Sequence, residues 1–277
     1  MRWRACDMGA FWSPAPVLVA GPCVLEDHAL NAAVAHHLAG LAERLGLRVV
    51  YKASFDKANR ASPGAPRGPG IEQGLDLLAR VKRETSLPVI TDIHEVWQVE
   101  EAARVVDALQ IPAFLCRQTD LLEAAGASGL PVNIKKGQWM SPDAMVGAVN
   151  KVRGAGGGDI AIAERGTFFG YGDLVVDMRS FRRLRTAAEV PVLFDATHSQ
   201  QRPGLGPGGN SGGEPVYTAD LLCAAAAAGA DGFFVETHPE PERAPSDGAT
   251  MWPLGTLEDL MRRALEVWQA TKRHGER

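Results

Sequence analysis

Pro131-Val-Asn-Ile-Lys-Lys136 is a short β-branched run that opens on proline and closes on charge. Seven more runs of this kind follow or precede it: Val17-Leu-Val-Ala20, Arg48-Val-Val-Tyr-Lys52, Pro88-Val-Ile-Thr-Asp92, Ala108-Leu-Gln-Ile111, Asp159-Ile-Ala-Ile-Ala163, Pro191-Val-Leu-Phe-Asp195 and Asp231-Gly-Phe-Phe-Val-Glu236. They are nearly continuous apolar runs without polar alternation, as strands covered on both faces should be. The segments between them have helical period. From Asp27 to Leu45 apolar residues fall at Leu30, Val34, Leu38, Leu41 and Leu45, and Gly46 is the stop. Ser141-Pro142 reads as an N-cap followed by proline at the first helical position. Thr256 and Asp259 read as a loose capping box opening the last helix. The alanine run 224–228 lies in a helix that can approach a sheet closely.

Eight strand–helix units in 277 residues fit an α/β fold, the (β/α)8 barrel, better than a doubly wound sheet. No linker divides the chain, so residues 1–277 read as one catalytic domain. Residues 1–16 are expected outside the barrel, at its bottom. Two Gly/Pro-rich loops, Ala58–Gly70 and Ser199–Glu214, have the length of binding loops or lids.

Composition excludes several classes. Hydrophobic residues make up 45% and charged residues 22%, an ordinary globular balance. The net charge of -4 argues against a general nucleic-acid binder. Cysteines 6, 23, 116 and 223 have no short paired spacing and read as reduced thiols. The basic start is broken by Asp7 and does not make a signal peptide. The longest apolar runs fall well short of the ~20 residues of a membrane span. The expected location is the cytoplasm, with no membrane partner.

A barrel of this kind works at the carboxyl ends of its strands. Those positions hold Cys23, Lys52 and Lys57, Asp92 and His94, Gln110 and Arg117, Lys135 and Lys136, Glu164 and Arg165, Asp195 and His198, and Glu236 and His238. The chain has 22 Arg but only 7 Lys, and Lys52, Lys57, Lys135 and Lys136 are four of those seven. A compact ammonium that can approach an anion is not interchangeable with a guanidinium. Lys52 and Lys135 are therefore read as functional. Lys136 is either functional or, by strand alternation, turned outward as solvated surface.

If Lys52, Lys57, Arg60, Arg117, Lys135 and Arg165 converge, their charge needs partners. Those are phosphate and carboxylate groups of ligands, or else Asp56, Asp92 and Glu164 as structural pairs. A second group, Cys23, His198, Glu236 and Asp247, suits a divalent Zn, Fe or Mn ion. With no CxxC or HExxH spacing, a lone Cys after Gly-Pro reads more often as a small buried residue than as a ligand. The other cysteines read as structural, and no organic cofactor is implied.

Longer motifs carry a resemblance. Lys52-Ala-Ser-Phe-Asp-Lys-Ala-Asn-Arg60, Thr91-Asp-Ile-His-Glu95, Gln110-Ile-Pro-Ala-Phe-Leu-Cys-Arg-Gln-Thr-Asp120, Asn133-Ile-Lys-Lys-Gly-Gln138, Phe194-Asp-Ala-Thr-His198 and Glu236-Thr-His-Pro-Glu-Pro-Glu242 resemble the 3-deoxy-D-manno-octulosonate 8-phosphate synthases. The likeness runs from about Val17 to the last helix. It implies a (β/α)8 barrel, typically a homotetramer, on the route to bacterial lipopolysaccharide. Such an enzyme condenses phosphoenolpyruvate with D-arabinose 5-phosphate and water, releasing phosphate. By resemblance, Lys52, Lys57, Lys135 and Arg165 hold phosphoenolpyruvate, and Asn59 and Arg60 hold the sugar phosphate. Gln110 belongs to the substrate site, and Arg117 sits near the phosphate end, in reach of a subunit interface. The family has a metal-dependent branch with Cys after Gly-Pro and a metal-independent branch with Asn there. Cys23, with His198, Glu236 and Asp247, implies the first. One departure stands out: Ala61 replaces the serine expected near the sugar phosphate, and Ser62 is the hydroxyl left to take its place.

The implied mechanism is attack by the carbon nucleophile of phosphoenolpyruvate on the aldehyde, water addition at the enol carbon, and loss of phosphate with C–O cleavage. His198 and Asp247 are the candidates to relay a proton. Three rivals remain: a synthase using another aldose, a metal-dependent barrel hydrolase, and a sugar-phosphate binder without turnover.

Overall fold

The structure, a computed structural model, describes residues 10–13, 16–59, 64–206 and 211–275. All eight runs are strands: β1 Val17–Gly21, β2 Arg48–Lys52, β3 Val89–Asp92, β4 Ala108–Ile111, β5 Val132–Lys135, β6 Ile160–Glu164, β7 Val192–Asp195 and β8 Gly232–His238. They pair in chain order, all parallel, and β8 closes on β1 with Gly21 opposite Glu236. A helix follows each strand: α1 His28–Leu45, α2 Ile71–Thr85, α3 Val96–Ala103, α4 Thr119–Ala127, α5 Val146–Gly154, α6 Ser180–Ala188, α7 Thr218–Ala227 and α8 Leu257–Gly275. This is the (β/α)8 barrel. No helix among the described residues is long and apolar enough to cross a membrane.

Alternation along each strand divides the core. Leu18, Val49, Val89, Leu109 and Ile134 face the helices and join the larger apolar cluster. Val17, Val19, Val50, Ile90, Ala161, Leu193 and Phe234 fill the barrel interior. Phe11 and Trp12 pack into that interior cluster from the segment before β1, 4% and 1% exposed. Arg48 covers Phe11 at 4.9 Å. Burying an aromatic of this size stabilises by about 1.5–3 kcal/mol. The amino end of the barrel is thereby filled, and the carboxyl end is left open.

The caps follow mixed rules. Asp27 accepts the Leu30 amide at 2.8 Å, and Gly46 ends α1 in the left-handed region at φ 58°. Ser141 accepts the Ala144 amide at 3.2 Å, ahead of a 3-10 turn that leads into α5. At α8 the expected capping box gives way to another bond: the Thr256 hydroxyl donates back to the Pro253 carbonyl.

Two features lie outside the eightfold pattern. Thr167–Gly170 and Asp173–Val175 form an antiparallel hairpin after β6. Trp252–Pro253 runs parallel to Thr237–His238 and prolongs the wall beyond β8.

Candidate active site

Parallel strands end together, so their last side chains meet at one rim. There they enclose a cavity of about 380 Å³ whose lining includes Lys52, Lys57, Lys135, Arg165, His198 and Asp247. Asn59, Asp92, His94, Gln138 and Gln201 add to its polar wall.

Lys52, at the end of β2, is 1% exposed. Its Nζ reaches Asp92 Oδ2 at 3.0 Å and Glu236 Oε1 at 3.1 Å, and donates to Ser54 Oγ at 3.0 Å. Asp92 is held in turn by the Ser54 hydroxyl and by Gln110 Nε2 at 2.6 Å, and Gln110 Oε1 accepts from Asn133 at 2.8 Å. Burial alone would raise the Asp92 carboxyl; Lys52, Lys57 and Lys135 hold it well below the usual range. Lys135 Nζ donates to Asp195 Oδ2 at 2.9 Å and lies 3.8 Å above the Phe234 ring centre. Asp195 also bonds the ring nitrogen Nδ1 of His198 at 2.9 Å. Arg165 Nη2 donates to Gln201 Oε1 at 2.6 Å and the His198 carbonyl at 3.3 Å.

The charge balance corrects part of the sequence expectation. Four of the cations meet in one place, yet Asp92, Glu236 and Asp195 already partner Lys52 and Lys135. Of the expected structural partners, Asp92 does take Lys52, but Asp56 pairs with Arg67 and Glu164 with Lys136. Among the described residues, neither Lys57 nor Arg165 has a carboxylate within salt-bridge distance. Burial opposes the Lys57 charge, but Cys23, Glu236, Asp92 and Asp247 outweigh it and raise the ammonium above its ordinary value. Among the described residues, Lys57 and Arg165 are thus cations of the cavity left for a ligand's anionic groups.

Cys23 Sγ, a Glu236 oxygen and an Asp247 oxygen lie within 4.8 Å of one another. The Cys23 thiol donates to Asp247 Oδ2 at 2.9 Å. Burial first, then Asp247 and Glu236, push that thiol up. Asp247, at φ 53°, also accepts from Gln201 at 2.7 Å and Ser246 at 2.7 Å. Burial opposes its charge, but His198, Lys57 and the hydrogen bonds from Cys23 and Ser246 hold its carboxyl well below the usual range. Glu236 Oε2 is buried with no hydrogen-bond partner among the described residues, 3.6 Å from His198 Nε2. A buried carboxylate oxygen without a donor is costly, and a cation is what would satisfy it. His198 is not one of that close trio and approaches it at Glu236; sulfur, carboxylate and imidazole donors of this kind fit Zn, Fe or Mn.

The remaining expected residues fall elsewhere. Gln110 is fully buried under the cavity floor and holds Asp92 rather than lining the space. Arg117 is exposed on the turn before α4, outside the lining, and its carbonyl accepts from Lys151. Arg60, Ala61 and Ser62 lie outside the described residues. Lys136 is not solvated surface: it is 0% exposed. Among the wall residues to which sequence reading gave no role are Gln138, at the end of the Asn133–Gln138 motif, Gln201, inside the Ser199–Glu214 loop, and Phe168, at the hairpin.

Cations and carboxylates facing one another in a small buried cavity at the carboxyl end of a (β/α)8 barrel define an enzyme for small anions. Residues 13–274 match the DAHP synthetase I family, and the chain belongs to that family. It is 53% identical over 250 residues to the 2-dehydro-3-deoxyphosphooctonate aldolase of Syntrophotalea carbinolica, covering 90% of both chains. It is 49% identical to the protein of that name from Acidithiobacillus ferrooxidans, covering 94% of this chain and 92% of the relative. For Xanthomonas campestris pv. campestris the identity is 46%, over 98% of both.

Proposed function

We propose that the protein is a 3-deoxy-D-manno-octulosonate 8-phosphate synthase, joining phosphoenolpyruvate to D-arabinose 5-phosphate with water and releasing phosphate. The observation that carries this reading is the meeting of Lys52, Lys57, Lys135 and Arg165 in one cavity, with Lys57 and Arg165 lacking a carboxylate partner among the described residues. Both substrates are phosphorylated and one adds a carboxylate. The names of the relatives point to the same product class.

In this reading Lys57, Lys135 and Arg165 hold phosphoenolpyruvate against Lys52, and Asn59 with Arg60 and Ser62 receives the sugar phosphate. Holding two anions side by side supplies the proximity that their repulsion denies them in water. The methylene carbon of phosphoenolpyruvate attacks the aldehyde, and the adjoining carbon that bears the phosphate oxygen becomes electron-poor. Carboxylates that stay ionised next to it, Asp247 and Glu236, stabilise that developing positive charge without reorganising. Water adds to the same carbon, and the cations that held the phosphate neutralise it as the C–O bond breaks. Asp195 engages Nδ1 of His198, which leaves Nε2 facing Glu236.

Cys23, His198, Glu236 and Asp247 would hold a divalent metal. When bound, that ion supplies Lewis acidity toward the aldehyde oxygen or a water. A homotetramer is expected, and exposed aromatics on the Thr167–Val175 hairpin support self-association.

The test is phosphate release from phosphoenolpyruvate with D-arabinose 5-phosphate, erythrose 4-phosphate or N-acetylmannosamine, before and after chelation. Turnover with the pentose phosphate, lost on stripping and regained with metal, is expected. Preference for another aldose would shift the acceptor. Full activity in protein shown to be metal-free would make Cys23 a bystander.

A further inference from the structure

Lys136 is the strand-end cation that the reaction does not use. Strand alternation turns Lys135 into the cavity and Lys136 to the other side of the sheet. There it meets no water. Its Nζ donates to the carbonyls of Gly137 at 3.3 Å, Met140 at 3.4 Å and Gly166 at 3.1 Å, and to Thr167 Oγ1 at 3.3 Å. Glu164 Oε1 stands 3.5 Å away and accepts the Gly166 amide at 2.7 Å. This is a cage of oxygens around one ammonium, drawn from two loops. The first loop leaves Lys135 at the end of β5 and carries Gln138; the second follows β6 and carries Arg165 and Phe168. The loops have two further ties, Lys136 N to the Ala163 carbonyl at 2.9 Å and Phe168 N to the Gln138 carbonyl at 3.0 Å. Each loop thus places a cation inside while its neighbour in sequence, Lys136 or Glu164, joins the pair outside.

We propose that Lys136 is a positioning residue for the phosphate end of the site: its ammonium locks the two loops together and so sets the spacing of Lys135 and Arg165. Lys135 and Arg165 come from different strands, so nothing covalent fixes their separation on a phosphate. A buried ion pair is weak evidence for stability, since apolar packing of equal volume often does as well. The ammonium's own donors are all taken up, although Glu164 Oε2 has no hydrogen-bond partner among the described residues, and a polar network of this kind specifies one arrangement. The inference rests on the reading that Arg165 and Lys135 hold the phosphate of phosphoenolpyruvate.

The experiment compares three forms of the full chain, wild type, Arg165→Lys and the double variant Lys136→Met/Glu164→Gln, which removes the buried pair without stranding either charge. Circular dichroism checks folding, and KM is measured separately for each substrate. The double variant is expected to fold and to raise KM for phosphoenolpyruvate about tenfold or more, with KM for the sugar phosphate within about twofold. Thr167→Val, which removes one oxygen of the cage, should shift the same KM in the same sense and decides the matter if the double variant does not fold. An unchanged KM for phosphoenolpyruvate in whichever of these folds, with Arg165→Lys raising it, overturns the role of Lys136 alone. An unchanged KM in Arg165→Lys overturns the assignment of the phosphate subsite, and the inference with it.

Discussion

Asp92 shows how much of this site is electrostatic bookkeeping inside the barrel. It is buried, it meets Lys52 at 3.0 Å, and it accepts from Gln110 at 2.6 Å. Breaking a buried pair by removing one charge costs about 3–5 kcal/mol. Asp92→Asn should therefore unfold at lower denaturant than wild type at neutral pH. The sign with pH follows from the depressed folded-state pKa. Such a carboxylate stabilises fully above its unfolded value of about 3.9 and loses that contribution as pH falls below it. The gap between wild type and Asp92→Asn should thus be widest at neutral pH and close on acidification below about 4. A gap that is the same at pH 7 and pH 3 would contradict this. The residue scale is also where sequence reading was least complete. Strand period read Lys135 as functional and left Lys136 open between a functional and an outward place; the structure turns it outward, but the outside of a barrel strand can be solvent or another loop. Only the packing of residues 164–167 against 136–140 decided that. Likewise Gln110 sits at a strand end, as read, yet its side chain is spent on Asp92 and Asn133.

Among the elements, the eight strands and their helices were legible because burial on both faces writes a continuous apolar run and a helix needs its own period. The hairpin at 167–175 was not. Its residues are partly exposed and its strands very short, so no run marks them; the Gly170-Tyr-Gly172 turn was the available signal. Phe169 is 97% exposed and Tyr171 is fully exposed, at φ 81° and 30°. Large apolar groups held out in this way mark interaction surfaces, and beside them lies a groove lined by Trp139, Phe168 and Val175. Tyr171→Asp should shift the protein to smaller species in sedimentation, with its circular dichroism unchanged. A wild type that is already monomeric at micromolar concentration would remove the hairpin from any interface.

Across the whole molecule, the barrel does two different things at its two ends. At the amino end Phe11 and Trp12 fill the interior. At the carboxyl end the interior turns polar, and Lys52, Lys135, Asp195 and Glu236 are all buried around a cavity. The strand-end pattern made that asymmetry visible in sequence, and it located the cavity's cations. It could not give their pairing, because partners such as Asp195 and Lys135 are 60 residues apart and meet only when the sheet closes. The central claim is that phosphoenolpyruvate loses its phosphate by C–O cleavage only when its methylene carbon bonds to the pentose phosphate. The most direct measurement uses phosphoenolpyruvate carrying ¹⁸O in the bridging position between carbon and phosphorus, with and without D-arabinose 5-phosphate. The account predicts that labelled phosphate and an eight-carbon keto-sugar phosphate appear together in equal amounts, and only with the sugar present. Label retained in the organic product, or phosphate released without the sugar, would contradict it.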